Sequence, residues 1–116
     1  MILAVLDDLL FTSKIRNAAA RLGASIKFAR SSADALAEMR QTPPALVIFD
    51  LNSARAEPLA TLAAMKKDPA LATVPTLGFA SHLQTEVFEA ARGAGMDSVL
   101  ARSAFVLQLG DILRNV

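Results

Sequence analysis

The sequence predicts an α/β fold: a mostly parallel five-stranded sheet with helices on both faces. Five short apolar runs recur at even intervals along the 116 residues, and the segments between them carry apolar residues at helical spacing. The runs are continuously apolar rather than alternating, which is the pattern of strands buried on both faces. With 53% hydrophobic and 5% aromatic residues, the core must be built from Leu, Ala, Val and Ile. A chain of this length holds one such core, so residues 1–116 are expected to form a single domain without an output domain.

The first run, ILAVL (Ile2 to Leu6), is followed by Phe11, Ile15, Ala18 or Ala19 and Leu22, one buried face of a helix that Gly23 can cap. SIKFA (Ser25 to Ala29) forms the second strand, and Leu36 and Met39 mark a helix with Ser32 as its expected N-cap. Pro43 and Pro44 precede the third run, ALVIF (Ala45 to Phe49); Pro58 suits the first turn of the next helix, whose buried face is Leu59, Leu62 and Met65. Pro75 precedes TLGFA (Thr76 to Ala80), and Thr85 is the expected cap of a helix bearing Val87, Ala90 or Ala91 and Ala94, with Gly95 after it. SVLA (Ser98 to Ala101) is the last strand; Ser103 is the expected cap of a helix burying Phe105, Leu109, Ile112 and Val116. Phe88 and Leu107 are also expected in the core.

Composition excludes several functions. A formal charge of +1 and the lack of any Lys/Arg run of five or more give no electrostatic footprint for nucleic acid or an acidic membrane surface. Without cysteine there is no disulfide, thiolate chemistry or cysteine metal site. MILAVL lacks the basic segment of a secretory signal, and no apolar stretch approaches a membrane span, so a cytoplasmic location is expected.

In open parallel sheets, ligands and chemistry collect beyond the carboxyl ends of the strands. The polar residues there are Asp7 and Asp8 after the first strand, Arg30, Ser31 and Ser32 after the second, and Asp50 and Asn52 after the third. Ser81 and His82 follow the fourth, and Arg102 and Ser103 the fifth. The stretch LVIFDLN delivers a carboxylate, Asp50, straight from an apolar run.

On that stretch, and over essentially the whole chain, the sequence resembles the CheY-like receiver domain of response regulators, the phospho-accepting module of two-component signalling. The resemblance implies a flavodoxin-like strand order of 2-1-3-4-5 and a role for Asp50 as phosphoryl acceptor. It implies a Mg2+ site in which Asp7, Asp50 and the backbone carbonyl of Asn52 are ligands. The family's paired acids align with Leu6 and Asp7, so one acid is lost unless Asp8 substitutes from the next position. The family's Ser or Thr falls on Ala80, with Ser81 one position late, and its Lys falls on Arg102, followed by Ser103 instead of Pro. The Asp-Gly pair before the third helix is missing from SARAEPLA, and Val99 stands where the family has an aromatic switch residue.

These departures matter chemically. Phosphoryl transfer to an aspartate needs positioning and cancellation of the charge on the phosphoryl oxygens. A site with two acids should hold Mg2+ weakly. Alanine at position 80 can neither hold a phosphoryl oxygen nor swing inward to signal its presence. Arginine at position 102 keeps the positive charge with a larger planar fork, which can clamp the unmodified Asp50 carboxylate.

The expectation is an atypical stand-alone receiver with weak or absent phosphorylation. It would act through contacts with protein partners such as a histidine kinase or a downstream signalling protein, as a monomer or as a homodimer through the helix 4, strand 5 and helix 5 face. The alternative is a working phospho-receiver in which Asp50 accepts the phosphoryl group, Asp7 and Asp8 bind Mg2+, Ser81 replaces the lost hydroxyl and Arg102 the Lys. An enzyme or nucleotide binder is disfavoured: there is no G-x-G-x-x-G or GKS/GKT loop, and DDLLFTS offers a phosphate two carboxylates. His82 reads as a turn residue and not a general base, and Lys14, Arg16, Arg21, Lys27 and Arg30 as a solvated basic face.

Overall fold

All ten expected elements form, in the expected order, in a computed structural model that describes residues 1–116. They are β1 (Ile2–Val5), α1 (Leu9–Leu22), β2 (Ile26–Ala29), α2 (Ser32–Gln41), β3 (Leu46–Asp50), α3 (Pro58–Lys67), β4 (Thr76–Ala80), α4 (Thr85–Gly93), β5 (Ser98–Ala101) and α5 (Arg102–Arg114). The strands pair in parallel in the order β2-β1-β3-β4-β5, the flavodoxin-like arrangement.

Because successive strand residues point to opposite faces, the sheet divides the core in two. Leu3, Val5, Val47 and Phe49 pack with Met39, Leu62 and Met65 on the side of α2 and α3. Ile2, Ala4, Ile48, Leu77 and Phe79 pack with Ile15, Ala19, Phe105 and Leu109 on the side of α1 and α5. Gly78 is what lets the sheet close on Met96: a Cβ there would collide with the Met96 sulfur and press on Leu51.

Several boundaries and faces differ from expectation. Asp50 is itself the last residue of β3, not the first beyond it. Ser31, not Ser32, caps α2 by accepting from the Asp34 N–H, while the Ser32 hydroxyl lies 2.6 Å from that of Thr61 on α3. Gln84 occupies the N-cap of α4 in place of Thr85, and α5 starts directly from β5 with Ala101 in the cap position, so Ser103 is already helical. Leu107, at 87% exposure, is not core; it lies on the face of α5 turned away from Phe105 and Leu109. Leu59 and Val116 are likewise exposed, and Phe88 is only half-buried.

The basic residues of the first third, Lys14, Arg16, Arg21, Lys27 and Arg30, are exposed, as a solvated face requires. Lys27 pairs with Glu38 and Arg16 lies over the Phe28 ring, 4.9 Å from its centroid. No helix is long and apolar enough to cross a membrane.

Candidate functional site

Parallel pairing brings the carboxyl ends of β1, β3, β4 and β5 to one edge, with Val5 opposite Phe49, Asp50 opposite Phe79 and Ala80 opposite Ala101. Asp50 shares the alternation of Ile48, whose side chain packs on the α1 and α5 side. Its carboxylate therefore leaves the sheet toward the N-termini of α1 and α5. There it meets Asp8, which caps α1, and Arg102, the first residue of α5.

The Arg102 guanidinium divides its nitrogens between two carboxylates. Nη2 lies 3.6 Å from Asp50 Oδ1, and Nη1 lies 3.9 Å from Asp8 Oδ2. This is not the bidentate clamp on a single acid that an arginine at this position invites; the fork bridges two acids. The guanidinium carbon also sits 4.9 Å from the Phe11 ring centre and 5.4 Å from that of Phe79, within the range of cation–π attraction. Phe79 in turn stacks on Phe105 at 4.6 Å and meets Phe11 at 5.0 Å, so the cation rests on a fixed aromatic floor. A cation at the start of a helix opposes the helix dipole, and the two acids offset that cost.

Asp50 is 4% exposed. Burial pushes its carboxyl above the ordinary aspartate range; the Asn52 N–H and Arg102 pull it down, and Asp8 and Asp7 push it up further. The Asn52 N–H donates to Oδ1 at 2.9 Å, and the Ser53 N–H donates to the Asp50 carbonyl at 3.1 Å, closing a turn directly after β3. Asp7 accepts a hydrogen bond from the buried Ser53 hydroxyl at 2.7 Å. Asp8 Oδ1 accepts from the Phe11 N–H at 3.0 Å. The Asn52 side-chain amide donates to Gln84 Oε1 at 2.6 Å, joining the β3–α3 loop to the start of α4.

Ala80 is fully buried and shares the alternation of Gly78, so it faces away from Asp50's side of the sheet. The Ser81 hydroxyl accepts from the Leu83 N–H at 3.4 Å within the β4–α4 turn. Ser81 and the exposed His82 line a shallow hollow with Phe11, Lys14, Arg102 and Ser103.

As arranged, these residues do not converge on a metal. No group of three acidic, histidine or cysteine side chains comes together. The space between Asp50 and Asp8 faces the Arg102 guanidinium, and Asp7 is engaged by Ser53. Asp7 Oδ2, Asp50 Oδ2 and the Asn52 carbonyl take part in none of these contacts, so only Asp8 would have to exchange its Arg102 or Phe11 contact to join them in holding Mg2+.

Sequence reasoning places Asp7, Asp8, Asp50, Asn52, Ser81 and Arg102 at one edge, and the structure brings them there. It passes over Phe11 and Phe79 as plain core, although they form the floor under Arg102. It also passes over Ser53 and Gln84. No local pattern marks them, because their partners are distant in the chain: Asp7 for Ser53 and Asn52 for Gln84.

No protein-family model matches the sequence, and no curated protein is significantly similar to it. Solved structures share its fold. The phosphorylated cyanobacterial phytochrome response regulator RcpA is 23% identical over 98% of this chain and 88% of its own, with a TM-score of 0.81. The receiver domain of NtrX from Brucella abortus is 20% identical over 99% of this chain and 96% of its own, with a TM-score of 0.84. The Mn2+-bound form of the response regulator Rcp1 is 20% identical over 99% of this chain and 95% of its own, with a TM-score of 0.80. The chain has the fold of response-regulator receiver domains.

Proposed function

We propose that the protein is an atypical receiver-like signalling module that works through protein–protein contacts, with phosphorylation of Asp50 weak or absent. The observation that carries this reading is the Arg102 guanidinium set between Asp50 and Asp8 on the Phe11 and Phe79 rings. Phosphoryl transfer to Asp50 needs a free carboxylate oxygen in line with phosphorus and cations around the phosphoryl oxygens. Here the Asn52 N–H and the Arg102 guanidinium both sit on Oδ1 and Oδ2 is left free, so the case against efficient transfer rests on the cation already shared with Asp8 and on Ala80, which offers no hydroxyl to a phosphoryl oxygen. The negative charge of Asp50 and Asp8 that a metal ion would offset is offset by a side chain of the chain itself. The module is a binding protein and not an enzyme on this reading, with a histidine kinase or a downstream signalling protein as the kind of partner. Docking or homodimer formation on the α4, β5 and α5 face belongs to this reading, and Leu107 leaves one large apolar side chain of α5 exposed.

A second reading, a working phospho-receiver with Mg2+, has in its favour the placement of Asp50 at the sheet edge with Asn52 and Asp7 beside it. One experiment separates the two. The protein is treated with Mg2+ and beryllofluoride, and separately with Mg2+ and acetyl phosphate, while amide resonances from Asp50 to Ala56 and around Arg102 are followed. Unchanged spectra and no covalent adduct are expected; a stoichiometric adduct on Asp50 would establish the second reading.

A further inference from the structure

An open trough of about 440 Å³ lies between the β3–α3 loop and α4, away from the Arg102 side of Asp50. Its apolar lining comes from Leu51, Pro58, Leu59, Val87 and Ala90. Its charged lining is of one sign: Glu57 and Glu86, with no lysine or arginine. Leu59 is 40% exposed, while the buried face of α3 is made by Thr61, Leu62 and Met65, so part of an aliphatic side chain is left open at the trough.

A second observation sets the rim apart. Glu57 has φ of 42°, a left-handed conformation in a residue that is not glycine, and it is the one non-glycine residue in the chain with positive φ. Such a conformation costs about 1–3 kcal/mol and collects at ligand clamps and switch regions. Here it turns the chain into α3 at the edge of the trough.

We infer that this trough is a docking site for a short amphipathic, cationic segment of a protein partner, with an aliphatic or aromatic side chain set on Leu51, Leu59 and Val87 and a Lys or Arg reaching Glu57 and Glu86. The open shape between two helical elements suits a polypeptide segment laid into a groove. The single sign of charge selects a cationic segment over an acidic one. The site also reaches Asp50. Asn52 lines the trough, its side-chain amide holds Gln84 on α4 at 2.6 Å, and its backbone N–H holds Asp50 Oδ1 at 2.9 Å. A segment that wedges the β3–α3 loop from α4 exchanges the Asn52–Gln84 bond and thereby moves a hydrogen-bond donor of Asp50.

The inference rests on the reading of the protein as a protein-contact module, but its residues are separate from the Asp50–Arg102 pair and its test reads peptide affinity, not phosphorylation. A random-peptide display library is selected against the full chain, and the enriched peptides are synthesised and titrated by fluorescence anisotropy and amide chemical shifts. The expected binders carry Leu, Met or Phe together with Lys or Arg and shift amides in 51–60 and 84–90. Their affinity falls about tenfold or more on the Glu57→Lys, Glu86→Lys chain. Both glutamates are exposed, so a circular dichroism spectrum like that of the parent chain is expected for this variant, and Glu86→Gln provides a milder second test with a smaller loss in the same direction. Enrichment of acidic peptides, shifts confined to another face, or no enrichment would overturn the inference. Binders that hold the charge-reversed chain equally well would make the trough a purely apolar pocket and also overturn it. Concentration-dependent self-association abolished by Val87→Asp would assign the trough to a second copy of the chain, with the same consequence. None of these results bears on whether Asp50 accepts a phosphoryl group.

Discussion

Replacing Arg102 with methionine keeps an apolar stem against Phe11 and Phe79 and removes the charge that faces Asp50. At the 3.6 Å separation of Nη2 and Oδ1, two unit charges attract by about 1 kcal/mol at the dielectric of water and about 5 kcal/mol at an effective dielectric near 20. The Asp50 side chain is 5% exposed and that of Arg102 is 37% exposed, so the pair lies between these limits. A net coupling of about 1–3 kcal/mol is expected, because the open side of the guanidinium is screened by water. Arg102→Met leaves a buried carboxylate without its cation and should lose about 2 kcal/mol, while Asp50→Asn keeps an acceptor for the Asn52 N–H and should be neutral or stabilising. In the double variant the loss from Arg102→Met should largely vanish. Urea unfolding of the four chains at neutral pH supplies the cycle, with the midpoints read at constant m-value. A coupling below about 0.5 kcal/mol, or an Arg102→Met chain as stable as the parent, would refute the claim that Arg102 serves as the counter-ion of Asp50.

The raised Asp50 carboxyl gives a second prediction with a definite sign. Between the ordinary aspartate pKa and the raised folded value, the folded state holds more protons than the unfolded one, so this group's contribution to stability falls as pH rises through that window. The stability of the parent minus that of Asp50→Asn, measured by urea unfolding from acid to neutral pH, should therefore decline with pH and then level; a rise would contradict burial as the dominant cause. Gly78→Ala should cost about 1–3 kcal/mol, since its Cβ meets the Met96 sulfur and Leu51, and thermal unfolding will show whether Met96 yields without loss. Glu57→Gly should stabilise by up to about 1 kcal/mol by relieving the left-handed strain at φ 42°, net of the entropy that glycine adds to the unfolded chain. An unchanged or lowered unfolding midpoint would show that Glu57 is not strained in the folded protein.

The strands and helices could be read from residues near one another in the chain. Continuous apolar runs such as LVIF and helical repeats such as Phe11, Ile15, Ala18 and Leu22 each report burial within one element, and burial drives the packing that those elements share. Asp50 at the end of its run, with Asp7, Asp8 and Arg102 after theirs, also placed the polar residues at one edge, because parallel strands must end together. Local pattern failed where a neighbour in space competes. Ser32 has the chemistry of a cap, but its hydroxyl lies beside Thr61 and Ser31 caps instead; Leu107 has the chemistry of core, but two positions from Phe105 a helix has turned it to water. The sequence by itself determined the elements, their order and the charged residues brought to the carboxyl edge, since each rests on short-range periodicity. Tertiary structure alone decided that Arg102 bridges Asp50 and Asp8 over Phe11 and Phe79, that Ser53 holds Asp7, and that a trough opens beside Asn52. Those contacts depend on how far the starts of α1, α4 and α5 lie from the end of β3, a distance set by the packing of whole helices on the sheet.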